Sequence, residues 1–154
     1  MPFYQFDASG VVKRYVEEIG SDWVRSIVNP AQNNTISIVD VTRAEVASAL
    51  ARRAREGAIT LDERDELLRT FRAHSATQYR LVPMVHPVVD LAINLTQQHP
   101  LRAYDAVQLA TALIVNRSLI TSGLPPLIFV SADNGLIATA QAEGLAVDNP
   151  NWHL

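Results

Sequence analysis

The sequence predicts an α/β protein with a parallel β-sheet covered by helices. Short apolar runs alternate with amphipathic helical patterns, and no hairpin turn joins consecutive apolar runs. Strands separated by helices are typical of parallel sheets, in which both faces are buried. The chain has 154 residues, of which 48% are hydrophobic. That length fits one domain over residues 1–154 and suffices for a sizeable core.

Five short runs are predicted to form the strands of this sheet. The second is the clearest, because Ile36, Ile38 and Val39 are β-branched and favour extended backbone. The third contains Pro83, which has no N–H to donate and therefore indicates an edge position. The predicted strands span residues 2–6, 35–39, 81–85, 127–130 and 145–147.

Helices are predicted between the strands from their start and stop signals. Thr42 with Glu45, and Thr60 with Glu63, have the spacing of a capping box. Gly144 is placed to end the last helix, and residues 29–34 have the composition of a loop. The predicted helices span residues 9–18, 21–28, 42–57, 60–79, 87–98, 101–119 and 133–143.

Composition excludes several classes of function. The net charge of −3 argues against the broad positive field of a constitutive nucleic-acid binder, although it allows a local basic patch. Because cysteine is absent, there is no thiolate site, and any metal must be held by oxygen or imidazole. No apolar run approaches the ~20 residues that span a bilayer, and the start of the chain lacks a signal-peptide pattern. We therefore expect a cytosolic protein without a membrane segment.

Four acidic residues lie where a short apolar run gives way to a helix: Asp7, Glu45, Asp105 and Asp133. In a parallel sheet these junctions share one edge, so the carboxylates are expected to converge. Each residue alone is explained by helix capping or by the helix dipole. Together they repel one another by ~1 kcal/mol per pair in water and more in a cleft. A hard cation, Mg²⁺ or Mn²⁺, would offset that repulsion.

Four segments of the chain resemble the motifs of the PIN-domain ribonucleases, and among them the toxins of VapBC toxin/antitoxin pairs. They occur in the family's order and cover nearly the whole chain. The segments are Phe6-Asp7-Ala8-Ser9 with Lys13 and Glu18, Val41-Thr42-Arg43-Ala44-Glu45, Leu101-Arg102-Ala103-Tyr104-Asp105-Ala106, and Phe129-Val130-Ser131-Ala132-Asp133.

This resemblance implies a five-stranded parallel sheet, a helical hairpin inserted after the second motif, and Mg²⁺-dependent cleavage of RNA. By the same resemblance, Asp7 and Asp105 would be the primary metal ligands, and Glu45 and Asp133 would complete the acidic pocket. Ser9 would supply a hydroxyl beside the site. The family also implies a homodimer and an antitoxin protein whose C-terminal tail presents a basic residue to the pocket.

Two other functions remain open from the residues alone. An aspartyl-nucleophile phosphatase would need a second Asp two residues after the first, where this chain has Ser9. A non-catalytic RNA- or protein-binding module would use the acids only as helix caps. The four histidines fall on different predicted elements and are not expected to be ligands. They are His74, His86, His99 and His153.

The predicted dimer has a candidate surface on two helices. Residues 9–28 and 60–79 carry more apolar side chains than one small sheet is expected to cover. The alternative is that all of these side chains face the core. The residues concerned are Val12, Tyr15, Val16, Leu68 and Phe71.

Overall fold

A computed structural model describes residues 2–154 and contains one five-stranded sheet in which every pair of neighbours is parallel. The order of the strands is β3-β2-β1-β4-β5. The predicted fold class is therefore confirmed. The strands are β1 (Phe3–Phe6), β2 (Thr35–Val39), β3 (Tyr79–Val82), β4 (Ile128–Val130) and β5 (Ala146–Asp148).

Seven helices connect and cover these strands, together with three short 3₁₀ turns. The second half of the helical hairpin begins with the predicted capping box, since Thr60 and Glu63 each accept a hydrogen bond from the other's backbone N–H. The helices are α1 (Ala8–Val11), α2 (Ser21–Val28), α3 (Thr42–Arg55), α4 (Leu61–Thr77), α5 (His86–Gln98), α6 (Ala103–Thr121) and α7 (Asn134–Ala142). The 3₁₀ turns are Val12–Arg14, Pro30–Gln32 and Pro150–Trp152.

The core has two parts, one on each face of the sheet. Successive strand residues point to opposite faces, so Tyr4 and Phe6 pack against α2, α3 and α4, whereas Phe3 packs against α5, α6 and α7. Both faces are thus buried, as expected for a parallel sheet. This arrangement fixes the carboxyl ends of β2, β1 and β4 side by side at one edge.

That edge contains the point where the chain reverses its direction of winding. From β1 the chain moves to β2 and β3 on one side, and it later returns to β4 and β5 on the other. In open α/β sheets the crevice outside the strands at such a point is the usual ligand site. Asp7 directly follows β1, and Asp133 lies three residues after β4.

Several predicted boundaries differ from the structure. The helix predicted over residues 9–18 stops at Val11 and continues only as a 3₁₀ turn to Arg14. The third strand lies two residues earlier than predicted, and Pro83 follows its end rather than interrupting it. Its predicted edge position is confirmed.

The capping box predicted for Thr42 and Glu45 is wrong. Helix α3 begins one residue earlier than the box requires, with Val41 as a cap that makes no side-chain hydrogen bond. Thr42 lies inside the first turn, where its hydroxyl accepts a hydrogen bond from Gln108. The side chain of Glu45 consequently does not cap α3.

The predicted apolar dimer surface is also wrong. Val12 and Phe71 are only 2% and 1% exposed, and Tyr15, Val16 and Leu68 pack against the same core cluster. Residues of α1, α2, α3 and α4 form one core cluster on this face of the sheet, which accounts for all five side chains. No helix within residues 2–154 combines the length and apolarity needed to cross a bilayer.

Candidate active site

A cleft of about 730 Å³ lies at the carboxyl edge of the sheet. All four acidic residues singled out from the sequence line it, and so does Ser9. They come from the end of β1, from α3, from the first turn of α6 and from the cap of α7. The structure thus brings together carboxylates that are separated by up to 126 residues in sequence.

Asp7 is buried at the base of this cleft, and its carboxylate accepts three hydrogen bonds. Oδ1 accepts from Ser9 Oγ at 2.7 Å and from the Gly10 N–H at 3.0 Å. Oδ2 accepts from Ser131 Oγ at 2.6 Å. The bond from Gly10 is the N-terminal cap of α1, so the position of this carboxylate is fixed by the start of a helix.

Burial raises the pKa of Asp7 to about 6, although the hydrogen bonds from Ser131, Ser9 and Gly10 act in the opposite direction. The nearby charge of Asp105 raises it further. The carboxylate is therefore ionised at neutral pH but lies close to its protonation point. A cation near it would favour the ionised form.

Glu45 is held by a glutamine from a different helix. Gln108 Nε2 donates to Glu45 Oε1 at 2.9 Å and to Thr42 Oγ1 at 2.6 Å. Gln5, on β1, donates to the backbone carbonyl of Gln108 at 3.0 Å. Burial raises the pKa of Glu45, the bond from Gln108 lowers it, and the charges of Asp7 and Asp105 raise it.

Asp105 and Asp133 combine structural placement with mutual repulsion. Asp133 caps α7 by accepting from the Leu136 N–H at 3.1 Å, as its sequence position suggested. Asp105 lies in the first turn of α6, where the helix dipole favours a negative charge. Burial raises the pKa of Asp105, the charge of Asp133 raises it further, and Arg102 lowers it. Capping and clustering are therefore properties of the same side chains.

Two serine hydroxyls connect the first and last motifs. Ser9 Oγ donates to Asp7 and accepts from the Ala132 N–H at 2.9 Å. Ser131 Oγ donates to Asp7 and accepts from the Asp133 N–H at 3.1 Å. These hydrogen bonds connect the loop after β4 to the loop after β1, and each hydroxyl both donates and accepts one of them.

The donor set has the chemistry of a hard divalent cation site, because five carboxylates line one cleft and no cysteine or histidine of residues 2–154 does. Within residues 2–154, however, no three acidic or histidine side chains already have the spacing of a metal-ligand set. The charges of Asp7, Asp105 and Asp133 each raise the pKa of a neighbouring carboxyl in this group, but the side chains must move before three of them could share an ion.

Sequence reasoning missed Gln108 and underused Lys13. Gln108 lies in an apolar stretch of α6 and is 1% exposed, and a buried polar residue there is the one signal that could have marked it. The sequence identifies Lys13 only as part of the first motif, with no role of its own. In the structure Lys13 lines the cleft together with Glu18 and Arg53. None of the four histidines lines the part of the cleft formed by residues 2–154.

The model of the PIN domain family matches residues 4–124, which is most of the chain. Ribonuclease VapC45 of Mycobacterium tuberculosis is 33% identical over 147 residues, which cover 96% of this chain and 95% of that protein. The chain therefore belongs to the PIN-domain family, and within it to the VapC-like ribonucleases.

Solved structures show the same fold at low sequence identity. FitAcB from Neisseria gonorrhoeae superposes with a TM-score of 0.63 at 19% identity, over 98% of this chain and 99% of that one. A toxin-antitoxin complex from Klebsiella pneumoniae gives 0.63 at 16% identity, over 96% of this chain and 97% of that one. At such identities the likeness concerns the fold alone.

The raised pKa of Asp7 predicts how the Asp7→Asn variant changes stability with pH. A folded-state pKa near 6, above the usual 3.8, means that the folded protein binds this proton more tightly than the unfolded chain. Wild type should therefore lose stability as the pH rises from about 4 through 6, by up to ~3 kcal/mol. Asn keeps the cap acceptor without the charge, so in EDTA at pH 7.5 Asp7→Asn should melt roughly 5 °C higher.

Thermal denaturation followed by circular dichroism at pH 4 and pH 7.5 measures this difference, which should disappear at pH 4. Asp40→Asn is the matched control, because Asp40 lies outside the cleft in an exposed pair with Arg43. A lower melting temperature for Asp7→Asn than for wild type at pH 7.5 would show that the anionic cap matters more than the buried charge.

Proposed function

We propose that this protein is a metal-dependent endoribonuclease that hydrolyses RNA phosphodiester bonds at the four-carboxylate cleft, and that it is the toxin of a toxin/antitoxin pair. The observation that carries the proposal is the convergence of Asp7, Glu45, Asp105 and Asp133 in one cleft. Membership of the VapC-like ribonucleases supports RNA as the substrate. We further propose that it acts in the cytosol.

In this proposal Asp7 and Asp105 are the primary ligands of Mg²⁺, for which Mn²⁺ can substitute, and Glu45 and Asp133 complete the site. A divalent cation held by these carboxylates would neutralise charge on the phosphoryl oxygens and would favour attack by water. Ser9 and Ser131 keep Asp7 in one orientation by their hydrogen bonds. In the proposal, the hydroxyl of Ser9 is also a site residue that orients a ligand or a phosphate.

Glu45 has a role in proton transfer in this scheme. Gln108 binds only Oε1, and Oε2 has no hydrogen bond from the residues the structure describes. The raised pKa of this carboxyl makes Oε2 a better proton acceptor for the attacking water than an ordinary surface carboxylate. Gln108 is then a positioning residue, since it acts through Glu45.

Two alternatives are weaker. A phosphatase that forms an aspartyl intermediate needs a second Asp two residues after the first, where this chain has Ser9 hydrogen-bonded to Asp7. A non-catalytic binding module has no need for three carboxyl groups with raised pKa values, because repulsion among them costs stability.

The first functional prediction is metal-dependent cleavage that leaves a 5′-phosphate and a 3′-hydroxyl. Water attacks phosphorus directly, so the ribose 2′-OH is not required. Incubating the protein with bulk cellular RNA and Mg²⁺, then ligating adaptors only to 5′-phosphate ends, will map the sites. A 2′-deoxy substitution at a mapped site should leave cleavage intact.

EDTA should abolish cleavage. Asp7→Asn and Asp105→Asn should each lower the cleavage rate by at least ~100-fold, because each removes a ligand of the reacting centre. Asp40→Asn should cleave like wild type. Products with 2′,3′-cyclic phosphate ends, or undiminished activity in EDTA, would exclude this mechanism.

The second prediction concerns the antitoxin. We propose that its C-terminal tail inserts a basic residue, an arginine, into the cleft and thereby displaces metal or substrate. Five acidic and four basic side chains line the cleft, and four of the acidic ones are the proposed metal ligands. The protein encoded beside this chain's gene should bind wild type about tenfold more tightly than Asp105→Asn, because the variant removes one charge facing the arginine.

Titration calorimetry without divalent metal measures this difference, and Asp40→Asn should bind as wild type does. Expression of wild type alone should arrest bacterial growth, whereas Asp105→Asn should not. Equal affinities of the antitoxin for wild type and Asp105→Asn would exclude inhibition by an arginine inserted beside Asp105.

The third prediction is a homodimer through α5. Apolar side chains recur every four residues along one side of this helix and at its cap: Val85 is 47%, Val89 37% and Ile93 56% exposed. Such spacing places them on one face, where a second copy of the chain can cover them. Light scattering at tens of micromolar protein should give twice the chain mass for wild type and the single mass for Ile93→Glu.

Leu61→Glu is the matched control, since Leu61 is 60% exposed at the start of α4. It should remain dimeric. If wild type is monomeric at that concentration, the proposed dimer is excluded.

A further inference from the structure

Lys13 is a buried cation in the wall of the cleft whose donors are not used. It is the only lysine in the sequence. Its side chain is 8% exposed, and its Nζ lies 3.6 Å from Glu18 Oε1, beyond hydrogen-bond distance. Among residues 2–154 the Lys13 ammonium donates no side-chain hydrogen bond, so its N–H groups are available to a ligand in the cleft.

Glu18 is already bound by another cation. Arg53 donates to Glu18 Oε2 through Nε at 3.0 Å and through Nη2 at 2.7 Å. The Glu18 backbone N–H is in turn fixed by Ser21 Oγ at 2.8 Å. Two cations therefore share one carboxylate, and the group of Lys13, Glu18 and Arg53 keeps a net charge of +1.

The position of Lys13 is fixed relative to Asp7. The segment between them is α1 and the start of the next 3₁₀ turn, in which Val11 and Val12 are 0% and 2% exposed. Asp7 caps this helix from its first residue. The cleft thus presents a site for a cation and a site for an anion on one short rigid segment.

We propose that Lys13 binds a backbone phosphate of the RNA as it enters the cleft. The Lys13 ammonium carries a full charge at the cleft, and the carboxylate that it shares with Arg53 lies 3.6 Å away, too far to accept a hydrogen bond from it. A phosphate oxygen supplies both the charge and the acceptors. This inference rests on RNA being the substrate, and it adds a phosphate-anchoring residue outside the four carboxylates.

A purely structural bridge between Lys13 and Glu18 makes a different prediction from a phosphate anchor. If the pair only stabilises the fold, Lys13→Met and Glu18→Gln should both lower the melting temperature and leave RNA binding unchanged. If Lys13 is an anchor, the two substitutions act on binding in opposite directions, because Glu18→Gln removes the competing carboxylate.

Binding is measured by fluorescence anisotropy with a labelled random-sequence single-stranded RNA in EDTA, so that no cleavage occurs. Lys13→Met should weaken binding about tenfold and lower the salt dependence by ~0.7 in log–log slope, as expected for one lost phosphate contact on a single strand. Lys13→Arg should retain most of the affinity, and Glu18→Gln should bind more tightly than wild type. Arg117→Met is the matched control, since it removes one exposed charge outside the cleft.

The single lysine also gives a direct signal. With lysine labelled at Cε and Nζ, the side chain contributes one resonance, which should shift on addition of the same RNA and remain unchanged in a titration of the unphosphorylated nucleoside uridine. An unmoved resonance, or unchanged affinity for Lys13→Met, overturns the anchor. If wild type binds RNA and cleaves it while Lys13→Met does both equally well, only this inference fails. If wild type neither binds nor cleaves RNA, the proposed function fails with it.

Discussion

The arrangement of this molecule depends on one buried carboxylate at the end of the central strand. Asp7 caps α1 and receives the hydroxyl of Ser131 from the loop after β4. Ser9 connects the same carboxylate to the backbone of that loop. The point where the sheet changes its direction of winding is thus held together by a group that is costly to bury in its charged form. The same cost makes this carboxylate responsive to a cation.

Helix capping and metal binding are usually weighed as alternatives for a strand-end acid, but here they are compatible. A cap uses one lone pair of one oxygen, and each carboxylate has about four acceptor positions. Asp133 accepts only from the Leu136 N–H through Oδ1. The cap therefore orients the side chain, and the remaining acceptors face the cleft. Structural restraint of this kind lowers the entropy cost of assembling a ligand set.

The sequence was sufficient to predict the parallel sheet and the meeting of Asp7 with Asp133, because strand ends in such a sheet necessarily share an edge. Asp105 begins α6, which follows α5 rather than a strand, so the strand pattern alone does not place it. The sequence was also insufficient where partners come from distant elements. The capping-box pattern at Thr42 and Glu45 is indistinguishable from the real one at Thr60, and only the approach of Gln108 on α6 decides between them. The prediction of which apolar residues are exposed was wrong for a similar reason. Whether Phe71 or Ile93 is covered depends on which helix lies opposite it. The periodicity of the sequence does not carry that information.

A protein of net charge −3 can bind an acidic polymer when charges of both signs are separated within one cleft. Four carboxylates lie at the carboxyl edge of the sheet, and Lys13, Arg52 and Arg53 line the same cleft. In the proposed function, the carboxylates without a cation would repel RNA, and only the basic side chains would attract it. With a cation bound, both groups of side chains would favour phosphate. Metal and substrate should therefore bind cooperatively, and an arginine inserted at the acidic end would oppose both at once because it occupies the cation's place without offering a reactive centre.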